Sequence, residues 1–497
     1  MLFNSYEFII LFLPIVFTVY YWLGDRNHRR AAIAWLLVSS LFFYAWWNPI
    51  YLLLILFSMT VNYGVGFYLG KFHSEQKKQA KLLLILGIAF NLVILGYFKY
   101  TEFLLTNLNV WLGLDLTVRH IILPLGISFF TFQKIAYLAD AYEGKTKDYN
   151  FLNYCLFVTF FPQLIAGPIV HHREIIPQFG QTKAYRFEHS NLAVGLTIFV
   201  IGLFKKVMLA DNLAVYATPV FDAALQGKGL STGSAWVGTL CYTFQIYFDF
   251  SGYSDMAIGL ARMLAIKLPL NFNSPYKSIN IIDFWRRWHI TLSRFLRDYL
   301  YFPLGGNRHG SVRRCLNMAI VMLLGGLWHG ANWTFVLWGM LHGIYLTINY
   351  VFDLLTKKIA WTQSVVMKQA ANLLTFFCII IAWVLFRAES LSSALVVLKS
   401  MFFLNPEGYS PYEIEVEQIM AIVVSYLIVK FLPNTQELMR DYEPAIDFDS
   451  TKMEKVTRFN KILTWKPSVG WSLFITILFL ASFGNMVKVS EFIYFNF

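Results

Sequence analysis

Apolar runs of about 20 residues recur along the whole chain, each long enough to cross a hydrocarbon core of roughly 30 Å. They lie near 7–23, 31–48, 50–69, 82–99, 120–142, 151–170, 191–209, 234–250, 334–352, 370–387, 417–433 and 470–489, and a shorter, mostly apolar run, Leu316 to Leu327, precedes the block around residue 329. In lipid the backbone N–H and C=O groups must be satisfied within the segment, so such runs read as helices. The expected class is all-α and polytopic, with about 11–13 transmembrane helices plus re-entrant and interfacial pieces. Composition agrees: 14% of residues are charged and the mean hydropathy is +0.53, whereas soluble domains carry about 25% charged residues. No linker separates one apolar block from the rest, so residues 1–497 read as a single transmembrane domain.

The net charge of +12 does not point to nucleic acid. Lys and Arg gather in short loops between apolar runs, as in Arg26, Arg29 and Arg30 and again in Lys71, Lys77, Lys78 and Lys81. That distribution follows the positive-inside rule and sets both loops in the cytoplasm, with the N-terminus outside. Met1 to Tyr6 carry no positive charge and no small-x-small site follows the first run, so it reads as a retained span. Cys155, Cys241, Cys315 and Cys378 have no CxxC spacing and read as packing residues.

Several stretches depart from plain spans. Residues 103–114 are too short to cross and read as re-entrant or interfacial; 211–226 is a second short apolar stretch. Pro162, Gly167 and Pro168 predict a broken helix within 151–170. Residues 281–302 predict one amphipathic interfacial helix. At 100° per residue Trp285, Trp288, His289, Leu292, Phe295, Leu296 and Tyr299 share a sector of roughly 120°. Arg286, Arg287, Arg294 and Arg297 fall opposite, which puts this helix on the cytoplasmic surface and points His289 inward. Asp249 and Asp255, with Gln245, Ser251 and Ser254 in an apolar setting, read first as a polar network tying helices together. His171-His172 reads as a polar loop. Residues 434–466, with acidic and basic residues in equal number, read as a cytoplasmic excursion.

The residue that stands out is His329, in Leu327-Trp328-His329-Gly330-Ala331-Asn332-Trp333. A histidine in a hydrocarbon-length segment is expensive and is by default a functional hypothesis. A helix rising from Leu316 at the cytoplasmic edge reaches it after about 20 Å, which sets His329 toward the outside and His289 nearer the cytoplasm. A neutral imidazole in a dry cavity can act as general base toward a hydroxyl. Trp328, Asn332 and Trp333 are candidate donors for the oxyanion that would form. No nucleophile elbow or serine-histidine-aspartate order is visible, and no His/Cys/carboxylate set has zinc spacing, so no metal is expected.

These blocks resemble the membrane-bound O-acyltransferase family, and within it the bacterial branch of alginate and peptidoglycan O-acetylation proteins. The matching pieces are Met1-Leu2-Phe3-Asn4-Ser5, Phe161-Pro162-Gln163-Leu164-Ile165-Ala166-Gly167-Pro168, Asp249-Phe250-Ser251-Gly252-Tyr253-Ser254-Asp255 and Asn271-Phe272-Asn273-Ser274-Pro275-Tyr276. Phe284-Trp285-Arg286-Arg287-Trp288-His289, Tyr301-Phe302-Pro303-Leu304-Gly305-Gly306-Asn307 and the His329 block complete the set. The resemblance implies a ring of tilted helices around a funnel pierced by a tunnel. It implies that His329 is catalytic and that His289, the second signature histidine, lines the donor route. Trp328, Asn332, Trp333, Trp285, Asp249 and Asp255 join them as candidate substrate or tunnel residues.

The implied activity is transfer of an acetyl group from a cytoplasmic donor, acetyl-CoA or another, across the bacterial inner membrane. The acceptor would be a periplasmic acetyltransferase or an exported polysaccharide such as alginate, peptidoglycan or cellulose. No tightly bound cofactor is implied. The alternatives are D-alanyl transfer to teichoic acid, for which the donor is a carrier protein, and a non-enzymatic acyl or polymer transporter.

Overall fold

The computed structural model describes residues 1–72, 77–146, 150–356, 364–403, 408–448, 463–486 and 492–493. Among them the chain is helical, with one isolated bridge, Leu230–Tyr409, and no strand. Seven helices are long and apolar enough to cross a membrane: Glu7–Asp25, Ile50–Phe72, Lys77–Leu112, His189–Leu225, Gly310–His329, Trp333–Thr356 and Val365–Arg387. The other expected runs fold as helices that are shorter, such as Arg29–Ala45 and Val469–Gly484, or more polar, such as Thr232–Met263.

The interior is built on Thr232–Met263, nearly all of which is buried. It lies against His189–Leu225 at backbone contact. A Cβ on Gly202 would stand 2.6 Å from the Gly252 carbonyl oxygen, and one on Gly252 would stand 2.8 Å from that of Gly202. Lipid tails are as apolar as the helices, so close packing of small residues, rather than water exclusion, holds such a pair.

Three expectations about local structure change. Residues 103–114 are not a separate re-entrant piece: Lys77–Leu95 runs through a π-helical segment, Gly96–Tyr100, into Thr101–Leu112. In the same way Lys205–Ala210 is π-helical and joins 191–209 to 211–226. A π turn carries one extra residue and shifts the phase of the side chains that follow, so polar residues inside the run need not end the helix. The amphipathic 281–302 stretch, in contrast, is broken. Ile281–Arg287 and Ile290–Leu296 are separate helices, and His289 between them has φ +42° and ψ +54°.

The break within 151–170 is present. Phe151–Thr159 ends at Phe160, Phe161–Leu164 makes a single turn, and the chain then leaves the helix until His172. Of the 434–466 excursion, 449–462 lies outside the described residues; Thr435 and Gln436 are buried against the Thr232–Met263 helix.

Candidate active site

Gly310–His329 and Trp333–Thr356 form a tight hairpin, and His329 is the last residue of its first arm. The arms touch through glycine: a Cβ on Gly326 would stand 2.2 Å from the Phe335 carbonyl oxygen, and one on Gly339 would stand 2.3 Å from that of Met322. Gly330 is extended, at φ −160°, and stops the helix. Gly330 N–H closes the last helical bond, to Gly326 O at 3.3 Å. The three carbonyls after it lack the usual partner, and each finds one: Tyr100 Oη donates to Leu327 O at 2.7 Å. Lys99 Nζ donates to Trp328 O at 2.5 Å and to His329 O at 3.0 Å. Lys99 and Tyr100 both come from the π segment of Lys77–Leu112, and a cation at a helix C-terminus also suits the helix dipole.

The His329 side chain is buried in an aromatic shell. Ring centroids lie 5.0 Å away at Trp328, 5.1 Å at Trp338, 5.1 Å at Phe386 and 6.4 Å at His289. The two signature histidines are therefore neighbours, not residues at opposite depths. The reason is the break at Trp288–His289, which the helical-wheel count did not include. A non-glycine residue in the left-handed region is costly and persists only where its surroundings hold it. Here Asn271 does so: its carbonyl accepts from Ile290 N–H at 3.0 Å, and its Oδ1 accepts from Thr291 N–H at 3.3 Å and Thr291 Oγ1 at 2.9 Å. The backbone N–H of Thr291 identifies that atom as oxygen. The His289 Nδ1 group, 3.1 Å from it, consequently donates, and in the neutral ring Nε2 is the acceptor.

The expected partners separate into two sets. Trp328 belongs to the centre and stacks on Phe132 at 5.1 Å. Trp285 also lies there, its Nε1–H donating to His342 Nδ1 at 3.2 Å. Asn332 and Trp333 are tied elsewhere: Asn332 Nδ2 donates to Glu389 O at 2.8 Å and Trp333 Nε1 to Asn107 Oδ1 at 2.9 Å. Asp249 pairs with Lys206 at 2.7 Å and accepts from Ile493 N–H at 3.1 Å. Asp255 pairs with Lys205 at 2.7 Å and accepts from Thr435 Oγ1 and Gln436 Nε2 at 2.6 and 2.9 Å.

Sequence reasoning gave no role to Lys99, Tyr100, Asn271 or His342. The available signals were a lysine inside the 82–99 run and the place of Asn271 at the head of a family-like block. It also misread His171 and His172, which are buried rather than set in a polar loop. His172 Nε2 lies 2.9 Å from Asp140 Oδ2, His171 Nδ1 3.1 Å from Tyr299 Oη, and Tyr299 Oη donates to Asp140 Oδ1 at 3.0 Å. Burial, with Arg294 and Arg173 nearby, lowers the His171 pKa to about 4.

Beyond the end of the His329 helix opens a cavity of about 670 Å³. Its wall includes Lys99, Glu102, Gly330, Asn332, Phe386 and Arg387. Phe386 both lines this space and packs on His329, and Gly330, next to His329 in the chain, lines it too. Among the described residues no three His, Cys, Asp or Glu side chains gather in a way that could hold a metal ion. A buried imidazole beside a polar cavity can take a proton from a hydroxyl that enters it, and the dry aromatic surround strengthens any charge interaction made there.

Residues 7–392 match the model of a membrane-bound acyltransferase family, described as "MBOAT, membrane-bound O-acyltransferase family". The peptidoglycan O-acetyltransferase of Helicobacter pylori is 43% identical, across 100% of this chain and 98% of its own. The probable alginate O-acetylase AlgI of Pseudomonas putida is 40% identical, across 100% of both chains. The teichoic acid D-alanyltransferase of Bacillus subtilis is 30% identical over 48% of this chain and 62% of its own.

Proposed function

The chain belongs to the membrane-bound O-acyltransferase family and is an acyltransferase, and from that premise we propose that it moves acetyl groups from a cytoplasmic donor to an exported cell-surface polysaccharide. His329 is the general base. Its proton acceptor sits within the membrane-spanning part, its backbone is clamped by Lys99 and Tyr100, and the adjoining cavity admits the hydroxyl. The observation that carries this reading is that clamp-and-cavity arrangement at the one helix end bearing the Trp-His-Gly block.

The donor, acetyl-CoA or another acetyl carrier, enters from the side bearing Arg286, Arg287, Arg294 and Arg297. The acceptor is the polysaccharide itself or a periplasmic acetyltransferase that works on it. The chain lies in the inner membrane as a single domain, with the N-terminus in the periplasm and 434–466 in the cytoplasm. Full-length similarity to two O-acetylating proteins supports acetyl transfer. The D-alanyl alternative rests on a relative matched over about half of this chain.

Deleting the gene and measuring base-labile acetyl esters on the cell's exported polysaccharides tests this directly. The esters should disappear and return with the full-length chain. Unchanged acetylation, or loss of polymer export with acetylation of the remainder intact, contradicts the reading; the second result favours a transporter.

A further inference from the structure

Three N–H groups around His329 have no acceptor among the described residues: Nε1 of Trp328, Nε1 of Trp338 and Nε2 of His342. Their side chains are 4%, 1% and 0% exposed. The proton on His342 can be assigned. An indole nitrogen only donates, so the contact from Trp285 Nε1 makes His342 Nδ1 the acceptor. The ring is therefore neutral, and its one proton is on Nε2. Trp338 joins the two histidines, its ring 5.1 Å from that of His329 and 4.7 Å from that of His342.

Burying an N–H group without an acceptor forfeits its hydration, and lipid offers no substitute. Three such groups in one shell, all donors, suit a ligand atom that only accepts. An acyl carbonyl oxygen is such an atom, and it becomes an anion when a hydroxyl adds to its carbon. Of the donors suggested by the sequence, Trp328 is one of these three, whereas Asn332 and Trp333 are already committed to Glu389 and Asn107.

We propose that Trp338 Nε1–H and His342 Nε2–H form the oxyanion-binding pair for the transferred acyl group, as catalytic residues on the Trp333–Thr356 helix. The proposal rests on His329 being the base. The acceptor hydroxyl oxygen bonds to the acyl carbon and its proton passes to His329. The carbonyl π electrons move onto the oxygen, which Trp338 and His342 hold. When the carbonyl reforms, the bond from acyl carbon to the donor's thioester sulfur breaks, and the proton on His329 passes to the departing thiolate. Trp285 holds His342 in the tautomer that donates, and so acts as a positioning residue.

The test measures acetyl esters formed on exported polysaccharide per molecule of full-length protein in the membrane. His329→Ala is run alongside Trp338→Phe, His342→Phe and His342→Gln. In a further variant Trp338 is exchanged for its benzothienyl isostere, which keeps the ring and lacks only the N–H. Loss of one oxyanion donor typically slows the chemical step about 10²- to 10³-fold. Trp338→Phe, the isostere and His342→Phe should each fall by about 10²-fold, and His342→Gln, which keeps a side-chain N–H, should retain more. If the isostere and His342→Phe both stay within about twofold of the wild type while His329→Ala is inactive, the oxyanion pair is wrong and the base survives. If His329→Ala remains active, the base assignment fails first.

Discussion

The aromatic pocket around His329 and the ion-paired face of the Thr232–Met263 helix both carry polar groups through an apolar interior, and they do so in opposite ways. On the long helix the charges are matched. Asp249 meets Lys206, which also holds Asp211 at 2.8 Å, and Asp255 meets Lys205. Around His329 the side-chain groups are largely neutral, the main cation is spent on backbone carbonyls, and donors are left over. Polarity inside a membrane is therefore not by itself a sign of chemistry. Where each charge has a partner, the group holds helices together; where hydrogen-bond capacity is left unused, a substrate can be bound.

Substitution separates the two regions. Apart from His329 itself, the largest effect is expected at Lys206. Lys206→Met removes the cation that Asp249 and Asp211 share, and breaking a buried pair from one side costs about 3–5 kcal/mol. Thermal melts in detergent should show a marked drop in Tm with less protein in the membrane. Adding Asp249→Leu should recover part of it, because an apolar pair of similar volume is tolerated. A Lys206→Met protein of normal stability and no activity would move this network into the active site.

Next in size is Lys99→Met. It removes the clamp on the Trp328 and His329 carbonyls, and activity per molecule should fall by about 10- to 10²-fold, as misplacement of a catalytic group by about 1 Å does. A change of less than about twofold would mean that Tyr100 and the glycine contacts suffice. Asn271→Ala should weaken both stability and rate by a smaller amount, since it removes the buried Oδ1 acceptor beside His289 and Thr291, and a buried donor left unsatisfied costs about 1–3 kcal/mol; a variant as stable and active as the wild type would show that His289 keeps its place without Asn271. The smallest effect is expected at Asn332→Ala and Trp333→Phe. Their polar groups serve Glu389 and Asn107 at the rim, and each exposed hydrogen bond is worth about 0.5–1.5 kcal/mol. Activity more than about tenfold down at normal membrane level would return them to the centre.

Much of this was legible in the sequence, and the limits have physical causes. Apolar length announced the spans, and the Trp-His-Gly and Trp-Arg-Arg-Trp-His blocks named the two histidines. Their mutual position was not legible, because a wheel drawn through 281–302 assumes a continuous helix and the chain turns left-handed at His289. Lys99 was hidden for another reason: its partners lie 229 and 230 residues away, and local periodicity carries no information about that distance. His342 looked like one more apolar-run residue until Trp285 was seen to fix its proton. Asp249 and Asp255 gave the same polar signal as His329, and only the lysines opposite them set the two kinds of residue apart.

The central claim is that acetyl transfer depends on the imidazole of His329. The most direct measurement is the acetyl content of exported polysaccharide in cells carrying His329→Ala, with the variant's membrane level and Tm matched to the wild type. The account predicts a normally folded protein and no acetylation above the deletion background. Acetylation sustained at more than about a tenth of the wild-type rate by that folded variant would contradict it, since removal of a general base alone typically costs 10²- to 10⁴-fold.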